Sequence, residues 1–490
     1  MIFYKFEGVL SRRRVRRQRS HHAGDRPDLS RPEGVDCLSE VEHIVILMME
    51  NHSFDNYLGT LERGDGFTMK DGKPIDLHDN RRHNGEQVPL HHLDSTVQRV
   101  AIPSQSWNAS HIQWNGGALN GFVRSVEVAK PERESEADYT MGYWSEADLP
   151  FYYSLAQTFP LATRWFSSCL GPTFPNRRFL IAGTANGLID DRMSSCYDDP
   201  PAGTIFDLLT AHGISWANYH SKPRWKTLAK SLFGRTGHSF GRRALPFLSG
   251  VLPIFKSFAI GDFQFSADLF PRELLRTYNH APPLEKFFQA AATGTLPSVS
   301  FVDPDYGTFS EENPQDIQLG EGFAAAVIKS VMRGPGWPKT LLIWVYDEHG
   351  GYYDHVAPPA ATAPDDVLGT SLPERFPWLR RIPFLRHDLA QYDLEDAGPR
   401  TFDRYGFRVP AVLVSPYAKR DYVTDTIYDH TSVLKLIELK WNLPSLTLRD
   451  QAATAPLDAL DFSSPPAFLE PPNLADPAKP FHPANLGKLL

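Results

Sequence analysis

Two stretches of the chain are apolar without alternation, and each stops on an acid. His43 to Met49, HIVILMM, runs into Glu50-Asn51 and then a polar, turn-rich sequence; Thr340 to Tyr346, TLLIWVY, runs into Asp347-Glu348-His349-Gly350-Gly351-Tyr352-Tyr353-Asp354-His355. Unalternated apolar runs of this length predict strands covered on both faces, as in a parallel sheet. Open α/β sheets bind their ligands beyond the carboxyl ends of such strands, so Glu50-Asn51 and Asp347-Glu348 read as two halves of one candidate site. The alternative for the first half is a core strand followed by a helix cap, with Glu50 solvated and Asn51 satisfying backbone N–H groups. For the second half, taken residue by residue, it is a wet surface loop. The clustering weighs against that, because carboxylates buried near one another are costly unless a cation neutralises them. The Gly350-Gly351 pair lets the backbone turn sharply and come close to a ligand.

A reacting group is offered by Ser168 to Phe179, SCLGPTFPNRRF, where Thr173 sits in a Gly/Pro-rich turn. The spacing of Phe179, Leu180 and Ala182 predicts a helix beginning just after it, whose free N–H groups and dipole favour an anion such as phosphate. A hydroxyl is a poor nucleophile at neutral pH, but coordination to a metal lowers its pKa. The alternative is an ordinary N-cap threonine. His111 in SHIQWNGGALNGF, His355 in YYDHV and His430 in YDHTS are candidates for phosphate contact and proton transfer, His111 and His430 foremost. A hydrogen-bonded structural histidine is the alternative for each, and His349 and His52 are weaker candidates.

Six blocks occur in order: EHIVILMMENHSFDNYLG, GPTFPNRRFLIAGT, NPQDIQLGEGF, WVYDEHGGYYDHVAPP, YGFRVPAVLVSP and YDHTSVLKLIELKWNLPSLTLRD. Together they resemble the bacterial phosphoesterase family, whose members include non-haemolytic, phosphatidylcholine-preferring phospholipases C and a branch of acid phosphatases. The resemblance implies an α/β fold, a three-layer α/β/α sandwich with a mainly parallel central sheet similar to the alkaline phosphatase superfamily. It implies one metal centre, with Glu50 and Asn51 as the first pair of ligands, Asp347 and Glu348 as the second, and Thr173 as both ligand and nucleophile. Thr173 would attack phosphorus to give a phosphothreonine that water then hydrolyses. Threonine rather than serine at this position favours the phospholipase C branch, acting on phosphatidylcholine-like diesters. Thr173, His111 and His430 are the expected catalytic residues, and His111, Asn176, Asn313, His355 and His430 the expected substrate contacts. Where many relatives read Asp-His-Pro-Pro-Asp, this chain reads Glu312-Asn313-Pro314-Gln315-Asp316. Asn313 can hydrogen-bond an oxygen but cannot carry a proton. The expected cofactor is one divalent metal ion; oxygen ligands suit Mg, Mn or Ca, and Zn or Fe enter if a histidine coordinates. Two other functions stay open: an acid phosphatase-type phosphomonoesterase, and a weakly active relative that binds phosphorylated ligands or membranes, for which Asn313 is the chief support.

Composition adds boundaries. A chain of 490 residues, 41% apolar and 22% charged, is long enough for a single large domain. That domain is expected over residues 37–455, because its proposed ligands come from positions 50, 173 and 347. A net charge of -8 gives no reason to expect nucleic acid as partner. Residues 1–36 read as a flexible basic tail, with six arginines in the eight residues of RRRVRRQR, and residues 456–490 as a proline-rich tail. No apolar stretch follows the arginines, as an export signal would need; the resemblance points instead to a secreted or cell-envelope protein. Residues 225–265 and 364–400 read as lid or loop insertions near the substrate. The first mixes basic and apolar side chains that could lie on an anionic membrane, so bilayer contact, if any, is expected to be peripheral. The three cysteines, Cys37, Cys169 and Cys196, do not describe a disulfide framework; free thiols are expected, with a Cys169–Cys196 bridge as the alternative.

Overall fold

A computed structural model describes residues 26–75, 78–99, 103–191, 200–221, 278–381 and 398–486. The 225–265 insertion, Cys196, the arginine run and residues 382–397 lie outside these. Both apolar runs are strands, β1 (His43–Met49) and β5 (Thr340–Tyr346), and they pair in parallel along their whole length, His43 opposite Thr340 and Met49 opposite Tyr346. Every residue of β5 is buried, as is every residue of β1 after His43. The missing alternation thus reflects burial on both faces.

Around this pair runs a seven-stranded sheet that also contains β2 (Leu161–Ala162), β3 (Trp216–Tyr219), β4 (Val299–Val302), β6 (Ala411–Val414) and β7 (Val423–Thr424), in the order β7-β2-β6-β5-β1-β4-β3. β6 runs antiparallel to both neighbours; the other pairings are parallel. Two groups of helices flank it. Pro150–Thr158 and Leu284–Thr293 each pack on Ile317–Arg333, which also packs against β1. Thr173–Ala182, Ile205–Ala211, Thr431–Trp441 and Leu448–Ala452 form a second group. The result is the expected mixed α/β sandwich in three layers.

Residues 456–486 hold to this body by aromatic anchors: Phe468 packs on Phe159, and Phe481 on Phe309 and Phe323. Among the described residues no helix is long and apolar enough to cross a membrane.

Candidate active site

Three neighbouring parallel strands end on an acid at the same edge of the sheet: β5 on Asp347, β1 on Glu50 and β4 on Asp303. All three side chains are buried. One helical turn beyond Thr173, the buried Arg177 reaches between them. Its Nε lies 2.9 Å from Asp347 Oδ2, Nη1 3.2 Å from Asp303 Oδ1 and Nη2 3.6 Å from Glu50 Oε1. Asp303 is held further by Asn218 of β3 and the Tyr306 hydroxyl, each donating at 2.9 Å.

The loops after β1 and β5 interlock. Asn51 takes a left-handed conformation (φ 70°), which directs its N–H to Asp347 Oδ1 at 3.1 Å, an oxygen that also accepts the Glu348 N–H at 2.7 Å. The Gly350 N–H donates to Glu348 Oε2 at 2.7 Å. Gly350 is itself at φ +66°, and a Cβ there would stand 1.9 Å from the Asn51 carbonyl oxygen, so the two loops meet through a glycine. The capping reading of Glu50-Asn51 does not hold: Ser53 caps the next helix, Phe54–Leu58, accepting from Asn56 N–H.

Thr173 is the first residue of its helix, not the residue before it, and the cap is Pro172, which makes no side-chain bond. The Thr173 hydroxyl is therefore not spent on capping, and it lies 3.4 Å from Asn51 Oδ1. Asn176 braces the turn, accepting from Cys169 N–H (3.0 Å) and donating to the Gly171 and Pro172 carbonyls (2.8 and 3.0 Å). This side chain positions Thr173 and is not free for substrate. The helix amino end is also less open to an anion than expected. Phe174 N–H donates to Asp191 Oδ1 at 2.7 Å, and residue 175 is a proline with no N–H to give.

Burial pushes the carboxyls of Glu50 and Glu348 well above the ordinary range. Arg177 opposes this for Glu50, while Asp347 adds to it for both. Asp347 is raised for the same reason, Arg177 opposing, and Asp303 goes up to about 7. One guanidinium does not balance this many acids. Glu50 Oε2, Glu348 Oε1 and His430 Nδ1 are buried with no hydrogen-bond partner. Orphaned lone pairs on crowded carboxyls are what a cation would satisfy, although among the described residues the one group of histidines and acids whose ligand atoms all lie within 4.8 Å of one another is His83, Glu127 and Glu134.

The model of the phosphoesterase family matches residues 41–444. The chain belongs to the phosphoesterase family. It is a hydrolase acting on phosphoester bonds. Over 464 residues it is 30% identical to Phospholipase C B of Mycobacterium tuberculosis, covering 90% of this chain and 80% of that protein. It is 28% identical over 444 residues to Non-hemolytic phospholipase C of Pseudomonas aeruginosa (87% of this chain, 58% of that one). Non-specific phospholipase C1 of Arabidopsis thaliana is 27% identical over 439 residues (84% and 69%).

Of this phosphoesterase's candidate histidines, His349 Nδ1 lies 3.3 Å from Glu348 Oε2, and His430 bonds to the cluster through Nε2–H, donating to the Asp347 carbonyl at 2.6 Å. Burial lowers its pKa to about 4, so the ring is neutral, with its lone pair at Nδ1. His111 is likewise lowered to about 4 by burial. It bonds the Trp107 carbonyl at 2.7 Å and packs on that ring, and makes no hydrogen bond to the cluster. His355 is engaged by Asp55 (2.6 Å) and Asp65 (3.4 Å), which hold its pKa up at about 10 against burial and the neighbouring buried Arg408. The structure therefore places it in an ion network rather than among the acids at the strand ends. Asn313 donates to Tyr352 OH at 3.1 Å and the Arg99 carbonyl at 3.3 Å; the residue of that segment whose charge acts on Glu50 is Glu312. His52 is stacked between Tyr57 and Tyr352, and His349 bonds Gln113.

Two further residues join the cluster without a motif of their own in the sequence. Asp303 follows the buried strand VSFV and so repeats the strand-then-acid pattern of Glu50 and Asp347. Arg177 lies four positions after Thr173, on the same helical face. Of the cysteines, Cys169 is buried and free, and burial raises its thiol pKa; Cys37 is free and exposed.

Proposed function

We propose that this phosphoesterase cleaves phospholipid diesters in the manner of a phospholipase C, with Thr173 as nucleophile and one divalent cation held by Glu50, Asn51, Thr173, Asp347 and Glu348. The observation that carries the reading is the uncapped Thr173 hydroxyl facing Asn51 Oδ1, beside buried Glu50 and Glu348 oxygens that lack partners. The phospholipase C names of relatives from two bacteria and a plant support the substrate class.

When bound, the cation supplies positive charge that lowers the hydroxyl pKa and offsets charge on the phosphoryl oxygens. Thr173 Oγ1 forms a bond to phosphorus as the bond from phosphorus to the glycerol oxygen breaks, and diacylglycerol leaves. A water oxygen then attacks phosphorus, the bond to Oγ1 breaks, and the phosphorylated head group departs as Thr173 regains its proton. His430 is the proposed carrier: its Nε2–H is fixed on the Asp347 carbonyl, so Nδ1 can take the threonine proton and return it to the leaving oxygen. Arg177 keeps Asp347 and Glu50 in register. The first turn of the Thr173 helix is already committed to Asp191, and His430 and His111 are neutral. A diester with one negative charge is therefore better tolerated than a doubly charged monoester.

The test compares hydrolysis of bis(p-nitrophenyl) phosphate, p-nitrophenyl phosphate and phospholipid vesicles by the wild-type protein and Thr173→Val, before and after chelation. The expected outcome is preference for diesters, loss of turnover on chelation with recovery on adding a divalent cation, and a loss of about 10³-fold or more in a folded Thr173→Val. Turnover retained by the variant sinks the nucleophile assignment, and a strong monoester preference replaces the phospholipase reading with a phosphatase one.

A further inference from the structure

Among the described residues the large apolar side chains that stand exposed are unevenly spread. Val367, Leu368 and Trp378 fall on one short stretch, and Leu448 is tied to the start of that stretch by a 3.3 Å hydrogen bond from its N–H to the Pro364 carbonyl. Exposed apolar residues scattered singly are ordinary, whereas a concentration of them marks a contact surface. Trp378 is 55% exposed, and among the described residues no other tryptophan is exposed.

The stretch is held in place from below. The Thr184 hydroxyl donates to Asp365 Oδ2 at 2.7 Å, the Thr370 N–H to the Gly187 carbonyl at 2.9 Å and the Gly369 N–H to the Arg400 carbonyl at 2.7 Å. Glu374 accepts the Ser371 N–H at 2.8 Å and pairs with Arg400 through both carboxylate oxygens at 3.2 Å. Its inner side reaches the nucleophile. Ile189, Ser371 and Arg400 line a cavity of about 210 Å³ whose wall also contains Pro172, the residue before Thr173. Gly369 packs on Ile189, whose Cγ2 stands 2.7 Å from where a Cβ on Gly369 would lie. One loop thus walls the approach to Thr173 and carries apolar side chains at the surface beside it.

That continuity with the site decides what the surface meets. The phosphodiester of a phospholipid lies at the head-group level of a bilayer, and drawing its acyl chains into water is costly for every methylene exposed. The Thr173 hydroxyl is buried, so the mouth of the cavity has to come down to the bilayer for the two to meet. An indole ring, apolar with a single N–H, favours that same level. Arg375 and Arg381 lie three residues to either side of Trp378, and guanidinium groups suit lipid phosphates. We propose that Val367, Leu368 and Trp378 form a surface by which this phosphoesterase docks on a phospholipid bilayer, setting the cavity mouth at the head-group level. The inference rests on the phospholipase reading above. It puts bilayer contact on the described part of the 364–400 insertion, in addition to the basic 225–265 stretch.

The experiment uses the full chain loaded with its divalent cation. Binding is read by co-sedimentation with sucrose-loaded vesicles of phosphatidylcholine containing a minor share of phosphatidylglycerol, and turnover on the same vesicles and on bis(p-nitrophenyl) phosphate. In the double variant Leu368→Ser, Trp378→Ala, vesicle partitioning and vesicle hydrolysis each fall about tenfold or more. Hydrolysis of bis(p-nitrophenyl) phosphate and the thermal unfolding midpoint stay those of wild type. Leu469→Ser, at a leucine of similar exposure in the C-terminal segment, leaves partitioning unchanged. Partitioning of the double variant within about twofold of wild type, or an equal loss in Leu469→Ser, overturns the docking surface, and vesicle hydrolysis in that case leaves the phospholipase reading standing. Binding lost in the double variant, with no lipid hydrolysed by any form, supports the surface and overturns the phospholipase reading. Self-association that the double variant abolishes while vesicle binding persists assigns the face to a second copy of the chain and overturns the proposal.

Discussion

Replacing Gly350 by alanine tests whether the contact between the two strand-end loops holds the site together. Gly350 sits at φ +66°, where a side chain costs about 1–2 kcal/mol. Its Cβ would lie 1.9 Å from the Asn51 carbonyl oxygen and 2.6 Å from the carbonyl carbon. The Asn51 carbonyl must retreat by about 1 Å to regain a 3.0 Å separation. Crowding of this kind adds about 1–3 kcal/mol, for a total loss of about 2–5 kcal/mol in unfolding free energy. The functional cost is separate. Asn51 carries the amide that faces Thr173, and the Gly350 N–H holds Glu348, so the shift displaces two proposed ligands at once. A misplacement of about 1 Å costs roughly 10²-fold in rate. Gly72→Ala is the control, because Gly72 is also left-handed (φ +74°) yet has nothing within 4 Å of an added Cβ. Urea unfolding and diester hydrolysis of both variants give the answer. Gly350→Ala with kcat/KM within threefold of wild type, or matching Gly72→Ala in both readouts, would refute the reasoning.

Two further outcomes follow from the buried charges. Arg177→Met should cost about 3–5 kcal/mol in the metal-free protein, since it strips Glu50, Asp303 and Asp347 of their guanidinium. A divalent cation should recover part of that loss, and a cost under about 1 kcal/mol by denaturant titration would show that the acids are already protonated. For His355, raised to about 10 against an ordinary 6.5, the folded state binds the proton more tightly than the unfolded chain. Its contribution is thus complete below about pH 6.5 and fades as pH climbs to 10. Asp65, lowered to about 2 by its hydrogen bond with His355, contributes above its ordinary 3.8 and fails only in strong acid. His355→Gln should flatten the fall in stability between pH 6.5 and 10, and parallel wild-type and variant curves would place the titration elsewhere.

The central strands were legible because burial on both faces writes itself as an unbroken apolar run, and β1 and β5 are long enough for the run to stand out. β4 has four residues with Ser300 in the middle, so its apolar run is broken and Asp303 went unnoticed behind it. β2 and β7, two residues each, have no period to read. Asp354-His355 and Asp429-His430 are indistinguishable as dipeptides. Only long-range pairing separates them, sending His355 to Asp55 and Asp65 and His430 to the Asp347 carbonyl. Arg177 was hidden for a different reason. An arginine on a helix ordinarily reads as solvated, and its burial makes sense only once three acids from separate strands meet it.

Charge balance connects these points to substrate choice. Glu50, Asp303, Asp347 and Glu348 face a single guanidinium, so the fully ionised cluster carries about three uncompensated negative charges, and one divalent cation would leave about one. His430 and His111, both lowered to about 4, bring no positive charge at neutral pH. Asn313 brings none either. Each negative charge on an incoming phosphoryl group therefore meets a field that is already slightly negative, and the penalty grows with the second one. A diester, which brings a single negative charge, meets the smaller penalty. The same arithmetic weighs against a dianionic monoester, which meets the cluster with its full charge.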